Sequence, residues 1–224
     1  MRQTRHATLC ALVCATVFAG AALAVTQKPS PPSDAAQTLC RDAASELERT
    51  HCIPKHLLAA IALAESGRWD ASRGESFVWP WTVTAGGRSR YFETKAAALA
   101  DVRALEAEGA RNIDVGCMQI NLLHHPDAFQ SLDQAFEPAV NAAYAAGFLG
   151  DLHRQTRSWS RAVAFYHSRT KSFYQPYRKK VYKLWRVAHQ RAAAVHRAEV
   201  IAAYLERKSR RETALAERRR NRQK

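Results

Sequence analysis

A glutamate on the apolar stripe of a short helix constrains this chain more than any other feature. Residues 54–67 read Pro-Lys-His-Leu-Leu-Ala-Ala-Ile-Ala-Leu-Ala-Glu-Ser-Gly, with a proline suited to the first helical position and a glycine suited to the residue after the last turn. The stripe contains Leu57, Leu58 and Ile61, and Glu65 follows Ile61 by four residues. The pattern therefore predicts one short helix that carries a carboxylate on its buried face.

Burial changes the chemistry expected of Glu65. A carboxylic acid that is removed from water resists ionisation, so its pKa rises toward the range in which it still donates a proton near neutral pH. We therefore interpret Glu65 as a general acid. The alternative is a glutamate at the solvated end of the helix that pairs with Arg68, and the stripe alone does not decide between the two.

Four short motifs follow one another along the chain. They are Glu-Ser-Gly at 65–67, Gly-Cys-Met-Gln-Ile-Asn at 116–121, Asn-Ala-Ala-Tyr-Ala-Ala-Gly-Phe-Leu at 141–149 and Ala-Phe-Tyr-His at 164–167. In order and content they resemble the motifs of the soluble-type (SLT) lytic transglycosylases. The second motif is most similar to that of the small transglycosylases associated with secretion systems and other envelope-spanning machines.

The resemblance implies a mainly α, goose-lysozyme-like domain, to which the sequence itself adds a small β-hairpin insertion, described below. It implies an enzyme that cleaves the MurNAc–GlcNAc bond of peptidoglycan and leaves a 1,6-anhydro-MurNAc end. In that family one glutamate, here Glu65, protonates the leaving oxygen and then acts as a base toward the C6 hydroxyl. A lysozyme-type muramidase that uses water, and a non-catalytic peptidoglycan-binding assembly protein, are the alternatives.

The first two motifs imply four substrate-binding residues. Ser66 would orient Glu65 or touch the sugar, and Gly116 would let the backbone approach the glycan. Met118 and Gln119 would line the cleft, where the Gln119 amide offers both a donor and an acceptor to an acetamido group.

Three residues near the end of the domain complete the implied site. Tyr166 matches the tyrosine of the fourth motif, so its hydroxyl would bond Glu65 or the N-acetyl group. His167 stands where many relatives have asparagine, which puts the role of that asparagine in doubt, and Tyr177 would support the site from behind. No carboxylate is linked to Glu65 by its spacing; the candidates for a second acid are Asp70, Glu75, Glu93 and Asp114.

The segment between Glu65 and Gln119 is longer than is usual in the family. Residues 77–84 and 88–94 predict two short strands around a glycine turn, and residues 95–108 predict a helix closed by Gly109. We interpret this hairpin and helix as a wall of the substrate cleft. Its aromatic residues should form mainly the core of the hairpin, with one of them, Trp81, facing a sugar ring; they are Trp79, Trp81, Tyr91 and Phe92.

The N-terminal residues have the pattern of an export signal. Two arginines precede an uncharged apolar run at 7–24 that ends in Ala-Leu-Ala, the small-residue pattern that a signal peptidase recognises. We expect residues 1–24 to be a signal peptide and the mature protein to be periplasmic, with an uncleaved inner-membrane anchor as the alternative. Export argues against a nucleic-acid partner despite the formal charge of +14.

The mature chain divides into three predicted segments. Residues 25–38 form a Pro- and Ser-rich linker, residues 39–185 form the transglycosylase domain, and residues 186–224 form a basic tail that is helical or disordered. The tail holds 12 Lys and Arg against 4 Glu, so most of the net charge lies outside the catalytic region. We expect it to contact an anionic surface.

Three cysteines remain after residues 1–24 are removed. Cys40 and Cys52 are twelve residues apart, too far for a disulfide if a helix joins them. Unless a sharp turn intervenes, a bridge between Cys40 and Cys117 is favoured, with a buried free thiol at Cys117 as the alternative. Neither His-Glu-Xaa-Xaa-His nor Cys-Xaa-Xaa-Cys occurs, and the adjacent His124 and His125 do not share a helix face, so we predict no metal and no cofactor.

Overall fold

The computed structural model describes residues 32–223, which are mainly helical, as predicted. The helices of this region are α1 (Pro32–Thr50), α2 (Leu57–Ser66), α3 (Lys95–Ala107), α4 (Leu132–Ala135), α5 (Pro138–Thr156), α6 (Trp159–His167) and α7 (Lys171–Arg222). The strands are β1 (Gly67–Asp70), β2 (Glu75–Val78), β3 (Thr82–Ala85), β4 (Arg88–Tyr91), β5 (Ile113–Val115) and β6 (Ile120–Asn121). The predicted signal peptide, its alternative as an anchor, and the first part of the predicted linker lie outside the described residues.

Helix α2 lies at the centre of the core and is capped by a neighbouring helix. Leu58 and Ile61 are fully buried, as expected for a helix that is apolar on nearly every face. The Glu48 carboxylate of α1 accepts hydrogen bonds from the backbone N–H groups of His56 at 2.6 Å and Ala59 at 3.0 Å. This carboxylate therefore satisfies donors that a helix N-terminus would otherwise leave unpaired.

Both ends of α2 differ from the sequence prediction. Pro54 forms a turn, accepting a hydrogen bond from the Leu57 N–H at 3.0 Å, so the helix begins three residues later than proline suggested. Gly67 is extended, with φ −64° and ψ 117°, and starts β1 instead of closing the helix in a left-handed conformation. Its lack of a side chain is still required, since a Cβ would lie 2.3 Å from the Leu63 carbonyl oxygen.

The sheet is larger than the predicted hairpin. Strands β3 and β4 pair around the glycine turn at 86–87 and α3 follows at Lys95–Ala107, which confirms those two predictions. However, the first predicted strand is interrupted at residues 79–81, and its N-terminal part, β2, pairs with β1. Strands β5 and β6 then extend the second sheet in the order β4-β3-β5-β6, all antiparallel. This sheet brings the second motif next to the end of α2.

A disulfide joins Cys40 of α1 to Cys117 of the second motif, which confirms the favoured pairing. Cys52 is an exposed free cysteine. The bridge links residues that are 77 positions apart, so it fixes the motif loop to the helical core.

The two ends of the described chain extend helices beyond the predicted domain boundaries. Helix α1 begins at Pro32, so residues 32–38 of the predicted linker are helical. Helix α7 continues through the predicted boundary at 185 to Arg222, and residues 193–223 are all exposed. Among the helices of residues 32–223, none combines the length and apolar character that a membrane crossing requires.

Candidate active site

A polar cleft with a volume of ≈ 380 Å³ lies between the end of α2, the four-stranded sheet and α6. Glu65 lies in it, together with three other members of the predicted site. The cleft is lined by Glu65, Thr84, Ser89, Asn112, Asp114, Gln119, Ile120, Asn121, His124, His125, Phe148, Tyr166 and His167.

Glu65 is partly buried and is held by a residue from the other end of the domain. The Tyr177 hydroxyl of α7 donates a hydrogen bond to Glu65 Oε1 at 2.5 Å. The alternative pairing with Arg68 is absent, because the Arg68 guanidinium lies over the Trp79 ring at 4.9 Å and pairs with Glu93 at 3.7 Å. Glu65 is therefore directed into the cleft without a salt bridge to Arg68.

The surroundings of Glu65 raise its pKa to about 7. Burial is the largest cause, and the negative charge of Asp114 adds to it. The hydrogen bond from Tyr177 and the positive charge of Lys180 act in the opposite direction. A carboxyl group with this pKa is substantially protonated near neutral pH, which is the state a general acid needs.

Asp114 is the carboxylate that the fold brings into the cleft with Glu65. It lies on β5 between the buried residues Ile113 and Val115, so the alternation of the strand turns its side chain toward the cleft. Asn121 Nδ2 donates a hydrogen bond to Asp114 Oδ1 at 2.8 Å. Burial raises the pKa of Asp114, and this hydrogen bond opposes the shift.

Tyr177 contacts Glu65 directly, whereas the sequence analysis expected it only to support the site from behind. It is 7% exposed, and burial is the main reason that its pKa is raised well above the ordinary value. The hydroxyl therefore remains a proton donor to Glu65. The His167 ring stacks on the Tyr177 ring, with centroids 4.4 Å apart and planes 7° apart, and forms part of the cleft wall.

The Tyr166 hydroxyl does not bond Glu65, which was one of the two partners predicted for it. Its hydroxyl donates to the carbonyl oxygen of Met118 at 2.9 Å. Tyr166 thus lines the cleft while it fixes the backbone of the second motif.

Three predicted substrate-binding residues are part of the core instead. Ser66 and Met118 are fully buried, and the Ser66 hydroxyl donates to the Cys117 carbonyl oxygen at 2.7 Å. Gly116 is buried with φ 81°, and a Cβ there would lie 2.5 Å from Asn141 Nδ2. Its glycine is required by the packing of Asn141, and none of the three residues is among those that line the cleft.

Gln119 lies in the cleft, but its amide is already engaged. Nε2 donates to the carbonyl oxygens of Thr82 at 3.1 Å and Gly116 at 3.0 Å, while Oε1 accepts from the Thr84 hydroxyl at 2.5 Å. Gln119 therefore links the second motif to β3. The predicted hydrogen bonds of this amide to an acetamido group would have to replace some of these contacts.

Asn141 supports the site from within the core, a role that the sequence did not predict. It is fully buried on α5, where Oδ1 accepts from the Met118 N–H at 2.8 Å. Nδ2 donates to the carbonyl oxygens of Val115 and Ala135, each at 3.0 Å. An asparagine on the buried face of a helix must find hydrogen-bond partners for its amide inside the protein. The position of Asn141 in an apolar helix was therefore a sequence signal for such a role.

The hairpin contributes hydroxyl groups to the cleft wall. Trp79 is fully buried and its Nε1 donates to the Phe92 carbonyl oxygen at 2.6 Å. Neither these two residues nor Trp81 and Tyr91 are among the residues that line the cleft, so the sugar-facing role of Trp81 stays a prediction. The hairpin residues that reach the cleft are Thr84 and Ser89.

Comparison with known families decides the identity of this domain. Residues 42–184 match the model of the transglycosylase SLT domain, which covers more than half of the chain. The chain belongs to the SLT transglycosylase family. It is a peptidoglycan lytic transglycosylase, a lyase, and the predicted family and enzyme class are confirmed. Searches of curated proteins and of solved structures gave no match.

The activity of this transglycosylase is expected to fall as pH rises through about 7, because Glu65 must start protonated and its raised pKa marks the loss of that proton. The measurement is kcat/KM on soluble glycan strands across the pH range. Asp114→Asn removes a negative charge that raises the pKa of Glu65, so it should move the alkaline limb to lower pH. A rate that climbs steadily into the alkaline range would contradict the assignment.

Proposed function

We propose that this enzyme cleaves the MurNAc–GlcNAc bond without water and leaves 1,6-anhydro-MurNAc ends. The observation that carries the proposal is the placement of Glu65, a carboxyl group with a pKa of about 7, in a polar cleft. One residue of this kind suffices for both proton transfers when the nucleophile belongs to the substrate.

In the first step Glu65 donates its proton to the glycosidic oxygen, and the bond between that oxygen and C1 of MurNAc breaks. The N-acetyl carbonyl oxygen of the substrate stabilises the positive charge at C1. In the second step the Glu65 carboxylate takes the proton of the C6 hydroxyl, and O6 bonds to C1. One C–O bond breaks, one forms, and Glu65 ends protonated, so no water is consumed.

The tyrosine beside Glu65 supports both steps. A neutral hydroxyl that donates to Oε1 stabilises the carboxylate formed after the first proton transfer. It also limits rotation of the side chain, which keeps the acid aimed at the leaving oxygen.

A muramidase is the second candidate because Asp114 places another carboxylate in the cleft. In a hydrolase that pairs two carboxylates, the second one acts as a nucleophile or activates water. The carboxylates that line the cleft are Glu65 and Asp114. Since Glu65 is the acid, Asp114 is the one available for the second role.

The test is mass spectrometry of muropeptides released from purified sacculi in ¹⁸O-labelled water. Anhydro products lighter by one water and free of ¹⁸O are expected, in the parent enzyme and in Asp114→Asn alike. Labelled reducing ends that disappear in Asp114→Asn would establish hydrolysis instead. If the protein binds sacculi but releases no muropeptides, the alternative of a non-catalytic peptidoglycan-binding assembly protein would be favoured.

We also propose that the protein acts in the periplasm, in an envelope-spanning secretion or assembly machine. The export pattern at residues 1–24 and the similarity of the second motif support this. The Cys40–Cys117 disulfide is compatible with an oxidising compartment. Cell fractionation with N-terminal sequencing tests the location, since an intact N-terminus in the membrane fraction would indicate an anchor.

The basic tail is proposed to strengthen attachment to anionic envelope polymers. Residues 186–224 hold 12 Lys and Arg against 4 Glu, and salt screens such exposed charges over about 10 Å at 0.1 M. Sacculus binding across a salt series should therefore fall more steeply for the full chain than for a chain ending at residue 186. If binding falls with salt equally steeply for both chains, the tail does not contribute to attachment through its charge.

A further inference from the structure

A second concave surface lies outside the catalytic cleft. This groove has a volume of ≈ 420 Å³ and shares no lining residue with the cleft. Its floor is largely apolar and is formed by α1, α2, the β1–β2 hairpin and α7. The lining residues are Thr38, Arg41, Ala59, Ala60, Leu63, Arg73, Glu75, Ser76, Phe77, Val78, Leu184, Ala188 and Arg191.

One face of α7 continues from this groove into solvent. Leu184, Ala188 and Arg191 line the groove, and the same alternating spacing of four and three residues continues beyond it through Val195, Ala198, Ala202 and Leu205. Arg191 is the polar member of this series, and it bonds Glu75 at 3.3 Å. On an α-helix these positions form one stripe, which Val187, Ala194 and Ile201 widen on one side.

The exposed part of this stripe has no cover in the described chain. Val195 is 58% exposed, Ile201 58% and Leu205 55%. Isolated apolar side chains are common on protein surfaces, but here they form one helical face that joins an apolar groove. A ligand that fits both must be elongated and must itself present an apolar face.

Positive charge is concentrated at one end of this apolar surface. At the groove end the three arginines of the lining each have an ion pair, with Asp42, Asp70 and Glu75. At the other end residues 207–222 contain eight Lys and Arg against two Glu. An occupant that complements the whole surface therefore has a long apolar face and one acidic end, which lies against residues 207–222.

This charge pattern disfavours a second copy of the chain. In a parallel pair the two basic ends would meet, and in an antiparallel pair the highly charged residues 207–222 of one chain would lie in the apolar groove of the other. A flat membrane surface would not enter a groove enclosed by three helices and a hairpin. A helix with an apolar stripe fits such a surface well.

We propose that the groove and the α7 face together form a docking site for an amphipathic helix of another protein, with a long apolar face and one acidic end that lies against residues 207–222. The site uses no residue of the catalytic cleft. Its test is therefore independent of the reaction that Glu65 carries out.

The probe is a fluorescent synthetic helix of about 22 residues, which spans about 33 Å. It carries Leu and Ala along its apolar stripe and Glu at one end, and a matched peptide carries Lys in place of each Glu. Fluorescence anisotropy with the mature full-length protein should give a micromolar Kd for the acidic peptide and at least about tenfold weaker binding for the basic one.

Variants separate the apolar face from general charge. Val195→Asp with Leu205→Asp should weaken binding of the acidic peptide at least about tenfold. Ala193→Asp with Ala203→Asp places the same charge on the opposite face of the helix and should have much less effect. All four residues are exposed, so the unfolding temperature and turnover on soluble glycan should be unchanged.

Several results would overturn the proposal. Equal binding of the acidic and basic peptides, or equal losses in the two double variants, would show that only diffuse charge acts. A wild-type dimer in sedimentation experiments that Val195→Asp with Leu205→Asp converts to monomer would assign the face to a second copy. Binding to anionic vesicles that the same variant abolishes, without binding of the acidic peptide, would assign it to a membrane surface.

Discussion

The Glu65→Gln enzyme is expected to lose about four orders of magnitude of turnover on sacculi, since one side chain performs both proton transfers. Glutamine keeps the size of the residue and can still accept the hydrogen bond from Tyr177. Binding of sacculi should therefore be retained. The measurement is the release of soluble muropeptides under single-turnover and multiple-turnover conditions.

Thermal unfolding provides the control for this variant. The pKa of Glu65 is raised in the folded protein, so its contribution to stability is present below the unfolded pKa and is lost as pH rises through about 7. Glutamine does not ionise, so the variant should be at least as stable as the wild type at pH 8. Glu93→Gln alters an exposed carboxylate outside the cleft and should keep full activity. Near-wild-type turnover by Glu65→Gln would contradict a mechanism in which Glu65 transfers both protons.

Removal of the disulfide should produce the largest change in stability. The bridge joins residues separated by 77 positions, and closing a loop of that size in the unfolded chain is worth about 4 kcal/mol in the chain-entropy model. Cys40→Ala with Cys117→Ala should therefore unfold at markedly lower urea concentration. Both residues are buried, so alanine avoids introducing an unpaired polar group.

The remaining cysteine supplies the matched control. Cys52 is exposed and free, so Cys52→Ala should leave the free energy of unfolding nearly unchanged. A reducing agent should shift the unfolding midpoint of the wild type and of Cys52→Ala equally, and should not affect the double variant. If reduction leaves the wild type unchanged, the bridge does not stabilise the domain as proposed.

The sequence by itself determined the features that depend on neighbours along the chain. The apolar spacing around Glu65 predicted its helix and placed its carboxyl group on the apolar face, because residues four apart share a helix face. The glycine pair at 86–87 predicted the β3–β4 turn because each glycine adopts a positive φ there. The favoured Cys40–Cys117 bridge followed from the reach of a disulfide, since the helical residues 40–50 separate Cys40 from Cys52.

The tertiary structure alone decided which side chains meet in the cleft. Tyr177 and Glu65 are 112 residues apart, and their contact depends on how α7 packs against α2. Asp114 enters the cleft because β5 pairs with β3 and β6, a pairing that no local pattern specifies. Within the second motif, the positive φ angles of Gly116 and Gln119 turn the backbone so that Met118 is buried while Gln119 faces the cleft. Neither the helical nor the strand period applies to such a turn, so only the folded backbone separates the core residues of the motif from those at the site.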